Sequence, residues 1–151
     1  MEEPLTHSLI AVSKKYLSLF SKEASHLSID KYQYILVLID DHKESLTQKA
    51  LSELLQVDKS YMVTILDYLC GKGYVIREKN PNDRREQLIK LTEKARTDIP
   101  VIRKVISDLN QKSMKTLSKE QVKTFYEVIS VIQENLSDSK PNEIFLEYKK
   151  I

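Results

Sequence analysis

Cysteine is almost missing from this chain. The lone Cys70 excludes an intrachain disulfide framework and suits a reducing compartment, so a cytoplasmic location is expected. Two glycines and four prolines are too few for a loop-rich or disordered protein and favour helix. No apolar run approaches the ~20 residues of a membrane span. Met1-Glu2-Glu3 also lacks the basic start of a secretory signal, so no membrane association is expected. Neither sign of charge dominates: 24 Lys and Arg against 22 Asp and Glu leave +2, so any basic surface must come from local arrangement. His7, His26 and His42 lie far apart, and one thiol cannot complete a CxxC site, so neither a metal nor another cofactor is expected. A Ser-His-Asp grouping, a Walker loop and a dinucleotide fingerprint are all missing, and no enzyme chemistry is expected. What the chain does have is 151 residues, 41% of them hydrophobic, enough for one domain with its own core.

The stretch 46–92 organises the rest. Thr47 offers a cap to a helix through Leu55, with Ala50, Leu51, Leu54 and Leu55 on one face. Gln56-Val57-Asp58 connects, and Asp58 presents a carboxylate to the orphan amides of a second helix. There Met62, Ile65, Leu66 and Leu69, three and four apart, predict a buried face, and Gly73 predicts the stop. Residues 74–77 and 87–91 have strand-like spacing around a polar turn at 79–85, Lys-Asn-Pro-Asn-Asp-Arg-Arg. Helix, turn, helix and hairpin in that order form a winged helix-turn-helix. The predicted fold is mainly α, a winged helix-turn-helix with a three-strand or hairpin wing between N- and C-terminal dimerisation helices.

Before it, residues 5–25 predict a first helix on Leu5, Leu9, Val12, Tyr16 and Leu19, with Phe20 beside them. The chain restarts near Ser28, and Ile29, Tyr32, Ile35, Leu36 and Ile39 predict a second amphipathic helix. After it, Thr92 caps a long helix on Ala95, Ile99, Ile102, Ile106 and Leu109. Pro100 should kink this helix or orphan the Arg96 carbonyl. Ser118-Lys119-Glu120-Gln121 has capping-box form and opens a last helix on Val122, Phe125, Ile129, Ile132 and Leu136. A linker at 137–142 leads to a tail, 143–151, with apolar Ile144, Phe145, Leu146 and Tyr148. Such stripes are most simply a core face, but a winged helix completes its core from the middle of the chain. Surplus apolar helix at both ends calls for a partner, and a C2 homodimer is the commonest solution. The domain is therefore integrated, with 1–28 and 93–151 as the dimerisation region and 29–92 as the DNA-binding region.

A major groove about 12 Å wide accepts one helix, whose first turns meet the base edges. Lys59, Ser60, Tyr61 and Thr64 are the positions assigned to it; taken alone they would be a solvated helix face. Arg84 and Arg85 at the wing tip suit the narrow minor groove, where the negative potential of A·T-rich DNA is greatest; without the preceding helices they would be a hairpin tip kept polar for solubility. Asp58 and Asp83 fit a DNA-facing surface only as residues that orient the arginines. The competing class is a winged helix serving as a protein-interaction module with little DNA affinity.

LTQKALSELL, VDKSYMVTILDYLCGKGYV, the NPNDRR tip and IKLTEKA, in this order and spacing, resemble the MarR (multiple antibiotic resistance regulator) family of bacterial transcription regulators. The resemblance implies a cytoplasmic homodimer with interleaved terminal helices on a pseudo-palindromic double-stranded operator. It implies a repressor released by a small aromatic or anionic ligand held between the dimer helices and the DNA-binding unit. Tyr16, His26, Tyr32 and Tyr34 are candidates to line that pocket, each also suited to a core or interface role. The D-x-R spacing of Asp83 and Arg85 matches the family pattern and places that arginine beside the Asp58 cap. Thr64 stands where relatives often carry arginine, and Val63 where they carry a hydroxyl, which shifts selection toward A·T-leaning or shape-based readout. The family's peroxide sensors carry their cysteine in the first helix; Cys70 lies elsewhere and is read as a small packing residue.

Overall fold

The computed structural model describes residues 2–138. In chain order the elements are α1 (Leu5–Glu23), α2 (Gln33–Asp41), α3 (Gln48–Leu55), α4 (Lys59–Gly71), β1 (Val75–Asn80), β2 (Asp83–Leu91), α5 (Glu93–Ser113) and α6 (Lys119–Asn135). The tail expected at 143–151 lies outside the described residues.

Side-chain caps start four helices where the sequence predicts them. Thr47 Oγ1 accepts from the Ala50 amide at 3.0 Å, Asp58 Oδ1 from Tyr61 at 2.7 Å, and Thr92 Oγ1 from Ala95 at 3.3 Å. The Ser118 box closes both ways, with Gln121 N donating to Oγ at 3.1 Å and Ser118 N to Gln121 Oε1 at 2.9 Å. Each such cap stabilises its helix by about 1 kcal/mol. The second helix departs from expectation. Tyr32, at φ 65°, sits in the left-handed region and delays α2 to Gln33. Ile29 is fully buried all the same, reaching the core from non-helical chain, so apolar spacing that continues a helical period does not extend the helix.

α3 packs on α4 and β2, α4 on β1, and α2 on β2 and α5. Leu36, Ile39, Leu51, Met62, Leu66, Leu69, Ile89 and Ile102 are fully shielded where these elements meet. Leu54, expected on the buried face of α3, is 49% exposed, because α3 packs along one narrow side centred on Leu51. α5 runs through Pro100 as one helix, with the proline on its exposed face and Ala95, Ile99, Ile102, Val105 and Leu109 buried; Ile106 is only half-buried.

The wing is an antiparallel hairpin, and an isolated bridge between Thr47 and Leu88 adds a rudimentary third strand. Both strands outrun their predicted lengths, so the turn proper shrinks from 79–85 to Pro81-Asn82. Val75 faces Leu91 and Lys79 faces Gln87, yet the next β1 residue, Asn80, faces Asp83. The jump leaves 84–86 without cross-strand partners, a bulge that pushes them out of the ladder.

The apolar stripe of α6 is not buried within the chain. No α6 residue is buried, and among the described residues no other element packs broadly on it. Phe125, Tyr126, Val128 and Val131 are exposed, as are Leu5, Leu9, Ile10 and Val12 on α1, whose other side packs on α5.

Candidate nucleic-acid interface

The presented helix is α4. Its buried residues are Met62, Ile65, Leu66 and Leu69, which leaves Lys59, Ser60, Val63 and Thr64 exposed and Tyr61 half-buried. Asp58 holds the N-terminus, while Gly73, at φ 78°, closes the other end by letting Tyr74 N donate back to the Leu69 carbonyl at 2.9 Å. Thr64 Oγ1 donates to the Ser60 carbonyl at 3.3 Å, which keeps its lone pairs outward as acceptors. The tyrosine is held rather than free: Tyr61 and Tyr32 share a hydroxyl contact of 3.4 Å.

The wing presents Arg84 and Arg85 from the β2 bulge, not from an irregular turn. Asn80 Oδ1 accepts from Asn82 N at 3.0 Å, and Asn80 Nδ2 donates to Glu86 Oε2 at 3.2 Å, clamping both sides of the tip. Asp83 Oδ1 accepts the Arg85 amide at 3.0 Å and lies 3.6 Å from its Nε, so the carboxylate aims backbone and guanidinium together. The Arg85 side chain is 93% exposed.

A residue that the sequence reading missed joins helix to wing. Arg77 on β1 donates to Asp67 Oδ1 at 2.8 Å and to the Val63 carbonyl at 3.5 Å; a third guanidinium contact reaches Cys70 Sγ at 3.8 Å. One signal was available. Arg77 lies two residues from buried Val75 and so on the inward face of its strand, where an arginine needs an acceptor. Arg77–Asp67 is thus an ion pair between helix and wing; Asp58 caps α4, and Arg85 Nε lies 3.6 Å from Asp83.

The MarR family model matches residues 34–87, which run from the start of α2 into the wing. The multiple antibiotic resistance protein MarR of Escherichia coli (strain K12) is 30% identical over 122 residues, covering 80% of this chain and 85% of that protein. The chain belongs to the MarR family. As a member it is a transcriptional regulator and not an enzyme. The fold agrees. A mutant MarR from Escherichia coli, complexed with operator DNA, superposes at a TM-score of 0.76 with 28% identity over 85% of this chain and 93% of that one. A MarR family regulator from Listeria monocytogenes, complexed with a 26mer DNA, reaches 0.81 over 91% of each chain; at 21% identity it speaks for the fold alone.

In this MarR family chain the four residues assigned to an effector pocket lie at separate places. Tyr16 donates to Asn110 Oδ1 on α5 at 2.9 Å, and burial, with Tyr126 nearby, raises its pKa. Tyr32 packs edge-on to Tyr68 of α4, and burial followed by the Tyr61 hydroxyl raises its pKa. Tyr34 is exposed on the first turn of α2. His26 borders an open cavity of about 430 Å³ with Leu27, Ser28, Lys94, Thr97 and Asp98. Beneath that cavity the Tyr74 phenol donates to Asp98 Oδ2 at 2.6 Å and meets Ser28 Oγ at 2.8 Å. Burial, then the bond to Asp98, pushes the Tyr74 pKa up to about 12. Charged contacts tie α2 and the connection after it to α5: Arg96 to Glu44, and Arg103 to Asp40 and Asp41, both at 2.7 Å. Among the described residues no cluster of three His, Cys, Asp or Glu is assembled to hold a metal, and no helix is long and apolar enough to cross a membrane. Cys70 is half-buried beside Arg77.

Proposed function

We propose that the protein is a cytoplasmic, homodimeric, sequence-specific repressor that binds a pseudo-palindromic operator and is released by a small aromatic or anionic effector. The observation that carries the DNA reading is the joint presentation of α4 and the wing: a capped helix with Lys59, Ser60 and Thr64 outward, beside a bulge carrying Arg84 and Arg85. That the Escherichia coli mutant MarR is complexed with operator DNA supports DNA as the partner. Lys59, Ser60, Tyr61 and Thr64 read the major groove, while Arg84 and Arg85 meet phosphate or minor groove. Asp58 acts through the helix and Asp83 through the arginines.

The dimer rests on the uncovered apolar faces of α1 and α6, with 1–28 and 93–151 as the pairing region and 29–92 as the reading region. Effector release rests on the link between reading head and α5, through which a ligand near His26, Tyr16, Tyr32 or Tyr34 would shift the reading heads. Titrating the protein against its own upstream DNA at several salt concentrations tests the first point. A repressor loses affinity with a slope of about −0.9 per phosphate neutralised. Flat, weak binding would favour the interaction-module reading. Sedimentation at micromolar concentration tests the second, since a compact 17.6 kDa monomer would refute the dimer.

A further inference from the structure

A helix lying in a major groove has a phosphate strand on each side, and the wing covers only one of them. On α4, Arg77 of the wing is anchored at Val63, Asp67 and Cys70. The opposite flank carries Tyr61, Tyr68 and Lys72, displaced from the first stripe by roughly 150° at 100° per residue. Exposed Ser60 and Thr64 lie on the ridge between the two. The second flank is also built. The Tyr32 and Tyr61 hydroxyls meet at 3.4 Å, the Tyr32 and Tyr68 rings pack edge to face at 5.5 Å, and the Tyr68 hydroxyl donates to Asp30. Over this shelf lies the Lys31 ammonium, 4.7 Å from the Tyr68 ring centre and 5.3 Å from that of Tyr32, with Lys72 at 5.8 Å from the Tyr68 ring.

We propose that Lys31, held on the Tyr32–Tyr68 shelf, is a phosphate-binding residue that grips the DNA strand opposite the one met by the wing. The inference rests on the DNA-binding reading above. Three features support it. Lys31 is exposed, and its side chain is already ordered over two rings, so little rotamer freedom is lost on meeting a phosphate. The shelf touches the first turn of α4 through Tyr61, which puts the ammonium alongside the helix that enters the groove. With a net charge of only +2, the chain has no diffuse basic field, and affinity must come from a few placed cations.

The test compares the full-length parent with Lys31→Ala, Lys31→Arg and Arg85→Ala. It measures the salt slope of operator affinity and the phosphates at which ethylation blocks binding. Lys31→Ala should flatten the slope by about one unit per subunit and lose one ethylation-sensitive phosphate in each half-site, on the strand that Arg85→Ala leaves untouched within that half-site. Lys31→Arg should keep both. If Lys31→Ala leaves slope and interference pattern as in the parent while Arg85→Ala changes them, the Lys31 contact is overturned and the DNA reading stands. If the parent shows no salt-dependent DNA binding at all, both fall.

Discussion

Replacing Asp67 by alanine separates two effects that act in opposite directions on DNA binding. Asp67 lies on the exposed side of α4, 62% open to water, and holds Arg77 at 2.8 Å. As a bare charge, an anion removed from a DNA-facing surface should tighten binding, because one repulsion with phosphate disappears. As the anchor of the wing, its loss should loosen Arg77 and with it the aim of Arg84 and Arg85, and binding should weaken. The stability cost is modest. With Arg77 23% exposed, the pair falls in the range of surface ion pairs, about 0.2–1 kcal/mol. In a chain of this size that lowers the melting temperature by at most about 4 °C. A double-mutant cycle with Arg77→Ala should return a coupling within that same range, about 0.2–1 kcal/mol. In operator titrations Asp67→Ala should bind more weakly and with a flatter salt slope, approaching Arg85→Ala. Tighter binding with an unchanged slope would refute the anchoring role.

Asp58→Ala should cost about 1 kcal/mol in thermal or denaturant unfolding, since it removes the 2.7 Å acceptor of the Tyr61 amide. Arg84→Ala and Arg85→Ala should each leave the melting temperature near that of the parent and reduce the salt slope by about one unit for every phosphate left unneutralised. The larger effect is expected at Arg85, whose backbone and guanidinium Asp83 positions together. Tyr74 gives a pH test. Its folded pKa of about 12 lies above the ordinary 10.0, so the neutral phenol contributes stability that is fully present below pH 10.0 and lost as pH rises through about 12. Tyr74→Phe should make the loss of stability across that window shallower, and an equally steep loss in the variant would reassign it to another group.

Local chemistry along the chain determined a good deal. Thr47, Asp58, Thr92 and the Ser118–Gln121 box each mark a helix start found in the structure, because a cap is a contact between residues two or three apart. The buried stripe of α4 and its stop at Gly73 were legible for the same reason: both depend on a period or a φ preference carried by the residues themselves. Tertiary structure alone decided the rest. Ile29 keeps the apolar phase of α2 yet lies outside it, since the chain turns through a positive φ at Tyr32, which leaves no mark in the spacing. The wing arginines read as turn residues because polarity hides a strand, whereas ladder partners 75–79 and 87–91 carry β2 past them as a bulge. Arg77–Asp67 joins residues ten apart on two elements, and Lys31 over Tyr68 joins the connection before α2 to α4. Such pairs depend on how those elements cross, which no periodicity encodes.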